Sequence, residues 1–445
     1  MGEIKKSLED QIEIIAEKFL ETIKDQEIFV VSHFDTDGIS SATIMVQALR
    51  RLDARFSLRI VKSLEPEFIK TIPKDKIILF LDLASGSFDY IAKANLKEVF
   101  VIDHHEISKQ VPESINIINP ELHNKQKISA SSLVYLFCKK INKKNAEFAK
   151  LAILGMVGDM LEKDIDKLNS NILDDGEIKR KRGLLIYPST RPLNRTLEHS
   201  SHPFIPGVTG DPEGVLEILR EINITPKNKK YKSIIELNKE EMEKLITAIM
   251  LRNPKCKHSE ILGDIFLIKL FNKLEDAREI SAMVNACSRA GETSTAIQFL
   301  MESQKAKKSA EATHIKHKQN LISGLKFIAE IKKTQGKGFI IINAKDKIKD
   351  TIIGTIASIL SNSSLYEEDT VVTAMAYYED KIKVSIRIVG RNGRNVREIL
   401  SKVIDQIGGE VGGHKFAAGC IITRDKEEAF IQLLKKNLEI EMVKV

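Results

Sequence analysis

Tryptophan is absent from this 445-residue chain, and aromatic residues make up only 6% of it. Binding through extended platforms of stacked bases is therefore not expected. Cysteine is nearly as scarce: Cys138, Cys256, Cys287 and Cys420 stand far apart, with no CxxC spacing. That argues against a zinc ribbon and a disulfide framework and leaves buried thiols as the expectation. No apolar run reaches membrane-spanning length. The first ten residues are polar and charged, without the apolar core of a signal peptide. A cytoplasmic protein with no membrane partner is the expectation.

What is present belongs to a globular chain. The hydrophobic fraction is 42% and the charged fraction 29%, and the length is too great for one ordinary core, so two or three domains are expected. The net charge of +7 is compatible with a nucleic-acid partner. Basic residues cluster at Lys179–Arg182, at Lys227–Lys230 and from Lys305 to Lys318; simple solubility accounts for such runs equally well.

Helical spacing over residues 6–25 predicts an opening amphipathic helix. Short apolar runs then alternate with helical stretches. Ile28–Val31 runs into His33-Phe34-Asp35-Thr36-Asp37-Gly38, Ile77–Leu81 ends at Asp82, and Val99–Ile102 ends at Asp103-His104-His105. Such alternation predicts βαβ units and a parallel sheet, whose ligands bind at the carboxyl ends of the strands. All three polar clusters fall there. Helices are expected at 130–142 and 146–160, the second ending at Asp159. An irregular segment is expected over 186–212, a mostly helical pattern from about 213 to 331, and one long helix over 305–331. A compact α/β unit follows Gly336.

The strand-end residues suit a metal site. In an extended chain His33, Asp35 and Asp37 would point the same way. Asp82, His104 and Asp159 add ligands from further elements. Two metals ~3.5–4 Å apart need mixed imidazole and carboxylate ligands with one bridging carboxylate, and together bind a phosphate and activate water. This donor mixture suits Mn²⁺ better than Mg²⁺. A calcium loop starting at His33 would place Ile44 where glutamate is required, so that reading fails. Near the C-terminus, Gly408–His414 reads as a flexible loop with free backbone N–H groups. Gly412 and Gly413 would approach a phosphate closely, His414 would donate to it, and Arg387 would pair with it, with Arg391 and Arg394 as weaker candidates. A glycine-rich hairpin with His414 merely exposed is the plain alternative. Ser129–Ser132 fits a helix N-terminus, open either to a phosphate or to ordinary capping.

These motifs resemble the DHH phosphoesterase superfamily, and Gly412-Gly413-His414-Lys415-Phe416-Ala417-Ala418-Gly419 resembles the glycine-rich signature of its DHHA1 domain. Ser189–Leu193, His202–Gly207, Asp276–Glu279 and Asn285–Cys287 are similar to segments of archaeal RecJ-like, GINS-associated nucleases. The resemblance implies an α/β protein in three parts. These are a parallel-sheet DHH domain over 1–195, a mostly helical insert and linker over 196–334, and a smaller mixed α/β DHHA1 domain over 335–445, with an active cleft between the lobes. It implies that His33, Asp35 and Asp82 hold one metal and that Asp37, Asp82, His104 and Asp159 hold the other. His105 would face the scissile phosphate, and Asp103 would orient the histidine pair. Arg387, Gly412, Gly413 and His414 would bind substrate. The implied activity is that of a Mn²⁺-dependent exonuclease on single strands, 5′→3′ on DNA and extending to RNA, with Mg²⁺ as the alternative ion and the GINS complex as a partner. Two other readings stand beside it. One is a phosphodiesterase for short oligonucleotides or cyclic dinucleotides, against which the large insert argues. The other is a Cdc45-like, GINS-binding scaffold, against which the full ligand set argues.

Overall fold

The computed structural model describes residues 7–443, apart from 108–109, 124, 164, 201–202, 204, 255–260, 364, 391–392 and 410. Cys256, His202, Phe204 and Arg391 lie outside the described residues. By compactness the chain forms two units, each built from two stretches. The first comprises Met1–Thr190 with Leu262–His314, the second Arg191–Ile261 with Ile315–Val445.

The first unit is built on a parallel sheet. Its strands are β1 (Glu27–His33), β2 (Arg55–Val61), β3 (Ile77–Leu81), β4 (Glu98–Ile102) and β5 (Ile115–Ile118). They lie in the order β2-β1-β3-β4-β5, every pair parallel. The runs that predicted strands are apolar at successive positions because both sheet faces are covered; all five residues of β3 are buried. Helices α1 (Leu8–Thr22) and α2 (Thr36–Arg51) contribute to the apolar cluster on one face, and α3 (Pro66–Lys70) and α4 (Phe88–Lys93) to the other. Helices α5 (Ala130–Ile141), α6 (Ala149–Gly158) and α7 (Lys167–Asp175) extend the first cluster. This strand order has its switch point between β1 and β3, where neighbouring connections leave in opposite directions and open a crevice.

One region departs from the helical expectation. Within 213–331 lie β7 (Leu262–Leu270) and β8 (Lys273–Asp276), and with β6 (Lys179–Leu184) they form a three-stranded antiparallel sheet. The buried run Ile265–Ile268 reads equally as helix or strand by periodicity. The two-residue turn between them, Phe271-Asn272, has both residues at positive φ. It lacks the Asn-Gly signature that would have flagged a hairpin. The basic run Lys179–Arg182 is therefore the exposed part of strand β6. Helices Ala277–Arg289 and Thr293–Leu300 follow and pack into the first unit's core through Ile280, Met283, Val284 and Phe299. The long helix expected over 305–331 is present as Gln304–Glu330.

The second unit carries a mixed sheet, with strands β9 (Thr334–Gly336), β10 (Phe339–Asn343), β11 (Val371–Tyr378), β12 (Lys381–Ile388), β13 (Val411–His414) and β14 (Ala417–Thr423). Their order is β13-β14-β12-β11-β10-β9. Helices Asp350–Ser361, Val396–Ile407 and Glu427–Val443 complete the α/β unit expected after Gly336. Within 186–212 a short helix, Leu193–Glu198, interrupts the segment expected to be irregular. Cys138, Cys287 and Cys420 are buried free thiols. Among the described residues no helix is long and apolar enough to cross a membrane.

Candidate metal centre

Three adjacent strands deliver the polar residues to one edge of the parallel sheet. His33 is the last residue of β1, Asp82 follows β3 and Asp103-His104-His105 follow β4. Since β3 lies between β1 and β4, Asp82 stands between the two histidine-bearing tips. Asp82 takes a left-handed backbone conformation, φ 59°, uncommon for a residue with a side chain. Its N–H still donates to Ile102 O at 2.9 Å, so the ladder runs through the bend.

The His33–Asp37 run converges differently from the extended reading. The strand stops at His33, Asp35 is the N-cap of α2, and Asp37 lies in that helix's first turn. One oxygen of Asp35 accepts from Gly38 N at 3.0 Å, as N-caps do. Its other oxygen is 3.0 Å from His33 Nδ1. Asp37 accepts from Ala130 N at 2.7 Å and Ser131 N at 2.9 Å. The first amides of α5 thus hold a carboxylate of this chain, and Ser129 caps the same helix through Ser132 N. Of the two uses open for Ser129–Ser132, capping is the one seen.

Three groups of potential ligands result among the described residues; one is Asp82, His104 and His105, and the other two share no residue. His33, Asp35 and Asp82 bring potential ligand atoms within 4.8 Å of one another, and so do Asp37, His104 and Asp159. Asp82 links them: its Oδ2 is 3.3 Å from His33 Nδ1 and its Oδ1 3.5 Å from His104 Nε2. His104 Nε2 is also 3.2 Å from Asp159 Oδ2. Asp82 Oδ1 and Asp159 Oδ2 are buried without a hydrogen-bond partner. Buried carboxylate oxygens left so are costly unless a cation meets them. These residues therefore fit divalent ions, and mixed imidazole and carboxylate donors could hold two of them.

Electrostatics point the same way. Burial first, and then the Asp37 charge, push the Asp82 carboxyl well above the usual carboxylate range. The same two causes raise Asp159. Burial opposes charge on His33, but hydrogen bonds to Asp35 and Asp82 outweigh it and raise its pKa to about 10. Asp35 is drawn down to about 2, because the bond to His33 and that residue's charge outweigh burial. Without cations, the cluster must be neutralised by protons.

Asp103 is fully buried and serves its neighbours. It accepts from Ser85 N at 2.9 Å and His104 N at 2.8 Å, and its Oδ1 lies 2.7 Å from His105 Nδ1. Despite burial these bonds hold its carboxyl below the usual range. The bond to Asp103 raises His105. With Nδ1 engaged, Nε2 is the other ring nitrogen of a side chain that is 53% exposed.

The second unit's candidates are placed as follows. The segment read as a loop is paired: β13 and β14 form a hairpin in which Gly412 faces Gly419, Gly413 faces Ala418 and His414 faces Ala417. The loop expectation is corrected, because the glycines bring the backbones close rather than leaving them free. At Gly413, with φ 111°, a Cβ would lie 2.3 Å from Ala417 O. Gly412, Gly413 and His414 are exposed, and His414 Nδ1 accepts from Phe416 N at 3.3 Å. Arg387 donates to Ser358 Oγ at 3.0 Å, Ile386 O at 2.9 Å and Ala418 O at 3.2 Å. Arg394 is buried and bonds Gly338 O and Asp369, a structural role in place of the weak binding expectation.

Several residues of the site escaped the sequence reading. Asn119, just beyond β5, donates to Ser85 Oγ at 2.9 Å and His105 O at 3.0 Å. The strand-end logic would have found it. Thr36 donates to Ser281 O at 3.0 Å, tying α2 to the helix Ala277–Arg289. Gly155 on α6 admits Asp37: a Cβ there would lie 2.0 Å from Asp37 Oδ1 and from Ser131 Oγ. No local signal marks either contact.

Comparison with known proteins agrees with this architecture. Residues 27–156 match the DHH family, N-terminal domain, residues 186–259 the DHH-CID domain, and residues 336–439 the DHHA1 domain. The chain thus carries matches to a DHH N-terminal domain, a DHH-CID domain and a DHHA1 domain, in that order along the sequence. DHH-family phosphoesterases are metal-dependent hydrolases, and an acidic and histidine cluster suited to metal is present here. An uncharacterised protein of Methanocaldococcus jannaschii is 28% identical over 97% of both chains. Among the solved structures that share the fold are a RecJ and a Cdc45. RecJ of Thermus thermophilus, in complex with Mn²⁺, aligns with a TM-score of 0.61 and 18% identity over 96% of this chain. This chain covers only 54% of that one, about half its length. Cdc45 of Entamoeba histolytica aligns with a TM-score of 0.70 and 11% identity, over 96% of this chain and 99% of its own.

Proposed function

We propose that this chain is a metal-dependent phosphodiesterase that degrades single strands from an end, DNA in the 5′→3′ direction and RNA by the same site. The observation that carries the reading is the pair of ligand clusters joined by Asp82, with two buried carboxylate oxygens lacking hydrogen-bond partners. His33, Asp35 and Asp82 would hold one ion, and Asp37, Asp82, His104 and Asp159 the other, Mn²⁺ in preference to Mg²⁺. RecJ of Thermus thermophilus is solved in complex with Mn²⁺ and also with Mg²⁺, which supports a divalent ion; the preference for Mn²⁺ rests on the mixed imidazole and carboxylate donors. When bound, such ions polarise phosphoryl oxygens and acidify water. Asp103 would hold His105 so that Nε2 donates to charge building on the scissile phosphate. The DHHA1 segment would contribute Gly412, Gly413, His414 and Arg387 to substrate holding. The division at 195 and 334 is proposed as one of labour: catalysis before, substrate binding after, the insert between.

The deciding experiment is digestion of single strands labelled at the 5′ or the 3′ end, DNA and RNA, with Mn²⁺ or with EDTA. Mononucleotides released from the 5′ end only when Mn²⁺ is present are expected. Preference for substrates of two or three nucleotides would replace this reading with a short-oligonucleotide phosphodiesterase.

A second reading, a Cdc45-like scaffold, draws on the likeness to Entamoeba Cdc45 over nearly its whole length. The complete ligand set favours the enzyme. Association with GINS is compatible with both readings and is tested by co-purification with the GINS complex.

A further inference from the structure

We propose that Phe34 is a specificity residue of this site, stacking on the nucleobase attached to the phosphate that the metal cluster receives. This rests on the phosphodiesterase reading and names which part of the substrate the chain recognises beside the phosphate. Phe34 lies between two of the candidate ligands, His33 and Asp35, and its ring stands nearly perpendicular to the His33 ring, centroids 5.1 Å apart at 82°. It is only half-buried and is absent from both apolar clusters that flank the sheet. A half-buried phenylalanine outside these two clusters, held beside a ligand imidazole, offers apolar surface next to the candidate metal site. The nearly perpendicular contact with His33 restrains the ring; an aromatic ring has two faces and His33 can meet only one of them, so a face is left on which a purine or pyrimidine can stack.

A second residue points to the same chemistry. Met160 directly follows the candidate ligand Asp159 and is 62% exposed. It occupies the left-handed position after α6, φ 58°, where glycine or asparagine is the stable choice. Neither backbone preference nor burial accounts for methionine there. Two apolar side chains thus adjoin the cluster in sequence, one beside His33 and Asp35 and one beside Asp159. An inorganic polyphosphate or a sugar phosphate has no surface to match them, whereas a nucleotide does. Stacking one base on one aromatic ring typically changes affinity by about tenfold or more.

The test compares two ligands carrying the same phosphate, thymidine 5′-monophosphate and deoxyribose 5-phosphate, titrated calorimetrically into the full chain with Mn²⁺. Wild type is expected to bind the nucleotide about tenfold more tightly. Phe34→Ala should bring the two affinities together, and Phe34→Trp should keep them apart. Equal affinities in wild type, no measurable binding of either ligand, or a preference that survives Phe34→Ala overturns the proposal. A Phe34→Ala chain that weakens both ligands alike does so too, since that marks a support for His33. Failure of the phosphodiesterase reading shows separately, as absence of cleavage by wild type in the end-label assay.

Discussion

Asp82 leaves strand β3 in a left-handed conformation and spans two histidines on neighbouring strand tips. Its carboxyl is buried and pushed upward by burial and by Asp37, so in the metal-free protein it is a liability that cations relieve. Asp82→Asn keeps the shape and removes the charge. The metal-free variant is expected to melt no lower than wild type at pH 8, while Mn²⁺ no longer raises its Tm. In wild type a thousandfold excess over Kd should add about 4 kcal/mol. His105→Ala should do the converse, lowering kcat by about 10²–10³-fold while the Mn²⁺-induced rise in Tm persists. The raised groups also set a pH dependence. Asp82 and Asp159 have folded pKa values above the ordinary 3.8, and His33 one of about 10 against 6.5. In each case the folded state binds more protons than the unfolded state between the two values. The stabilisation is complete below the lower value and lost as pH rises through the higher. Metal-free protein should therefore lose Tm progressively above about pH 4 and up to about pH 10 from these groups. Mn²⁺ binding should release protons, read by calorimetry in buffers of different ionisation enthalpy.

Among elements, the central contact is α2 against α5 and α6. Asp37 leaves the first turn of α2 and reaches the N-terminus of α5, where exposed amides and the helix dipole favour a carboxylate. Helix α6 can pass this junction because residue 155 has no side chain. Gly155→Ala forces a methyl group into Asp37 and Ser131, and overpacking of this kind costs about 1–3 kcal/mol. The expected result is a lower Tm together with a weaker Mn²⁺ titration. Unchanged metal affinity would mean that Asp37 does not contribute to the second cluster. Gly38 is equally constrained: a Cβ there would lie 2.3 Å from His33 O, so the turn from strand to helix closes only over glycine.

At the scale of the molecule, the first unit is assembled from distant stretches. The core around α2 and α6 includes Phe266, Ile268, Ile280, Met283 and Phe299, and Thr36 bonds Ser281. A fragment ending at residue 195 lacks all of these. Burying apolar surface contributes about 25 cal/mol per Å², and a face of this helical layer would be left in water. Such a fragment is expected to bind ANS and to show a broad thermal transition, where the full chain gives a sharp one. A fragment that melts cooperatively without ANS binding would show that 262–314 is dispensable to the core.

Much of this protein was readable from local order. Apolar runs bounded by polar residues predicted β1, β3 and β4, because strands buried on both faces must be apolar at consecutive positions; β2, whose residues are only partly buried, and the short β5 gave no such run. Placing His33, Asp82 and His104 at strand ends then brought them to one edge of the sheet, since parallel strands end on the same side. The sequence by itself determined the buried strands β1, β3 and β4, the long helix over 304–330 and the identity of the polar residues at those strand ends. The tertiary structure alone decided what joins them. Strand order put β3 between β1 and β4 and so made Asp82 the link. The amides of α5 met Asp37 across 93 positions of chain, and a glycine on α6 left room for the contact. The hairpin Leu262–Asp276 and the helix after it returned to the first unit. Pairings of that kind depend on strand order and on volumes at distant positions, which no window of sequence contains.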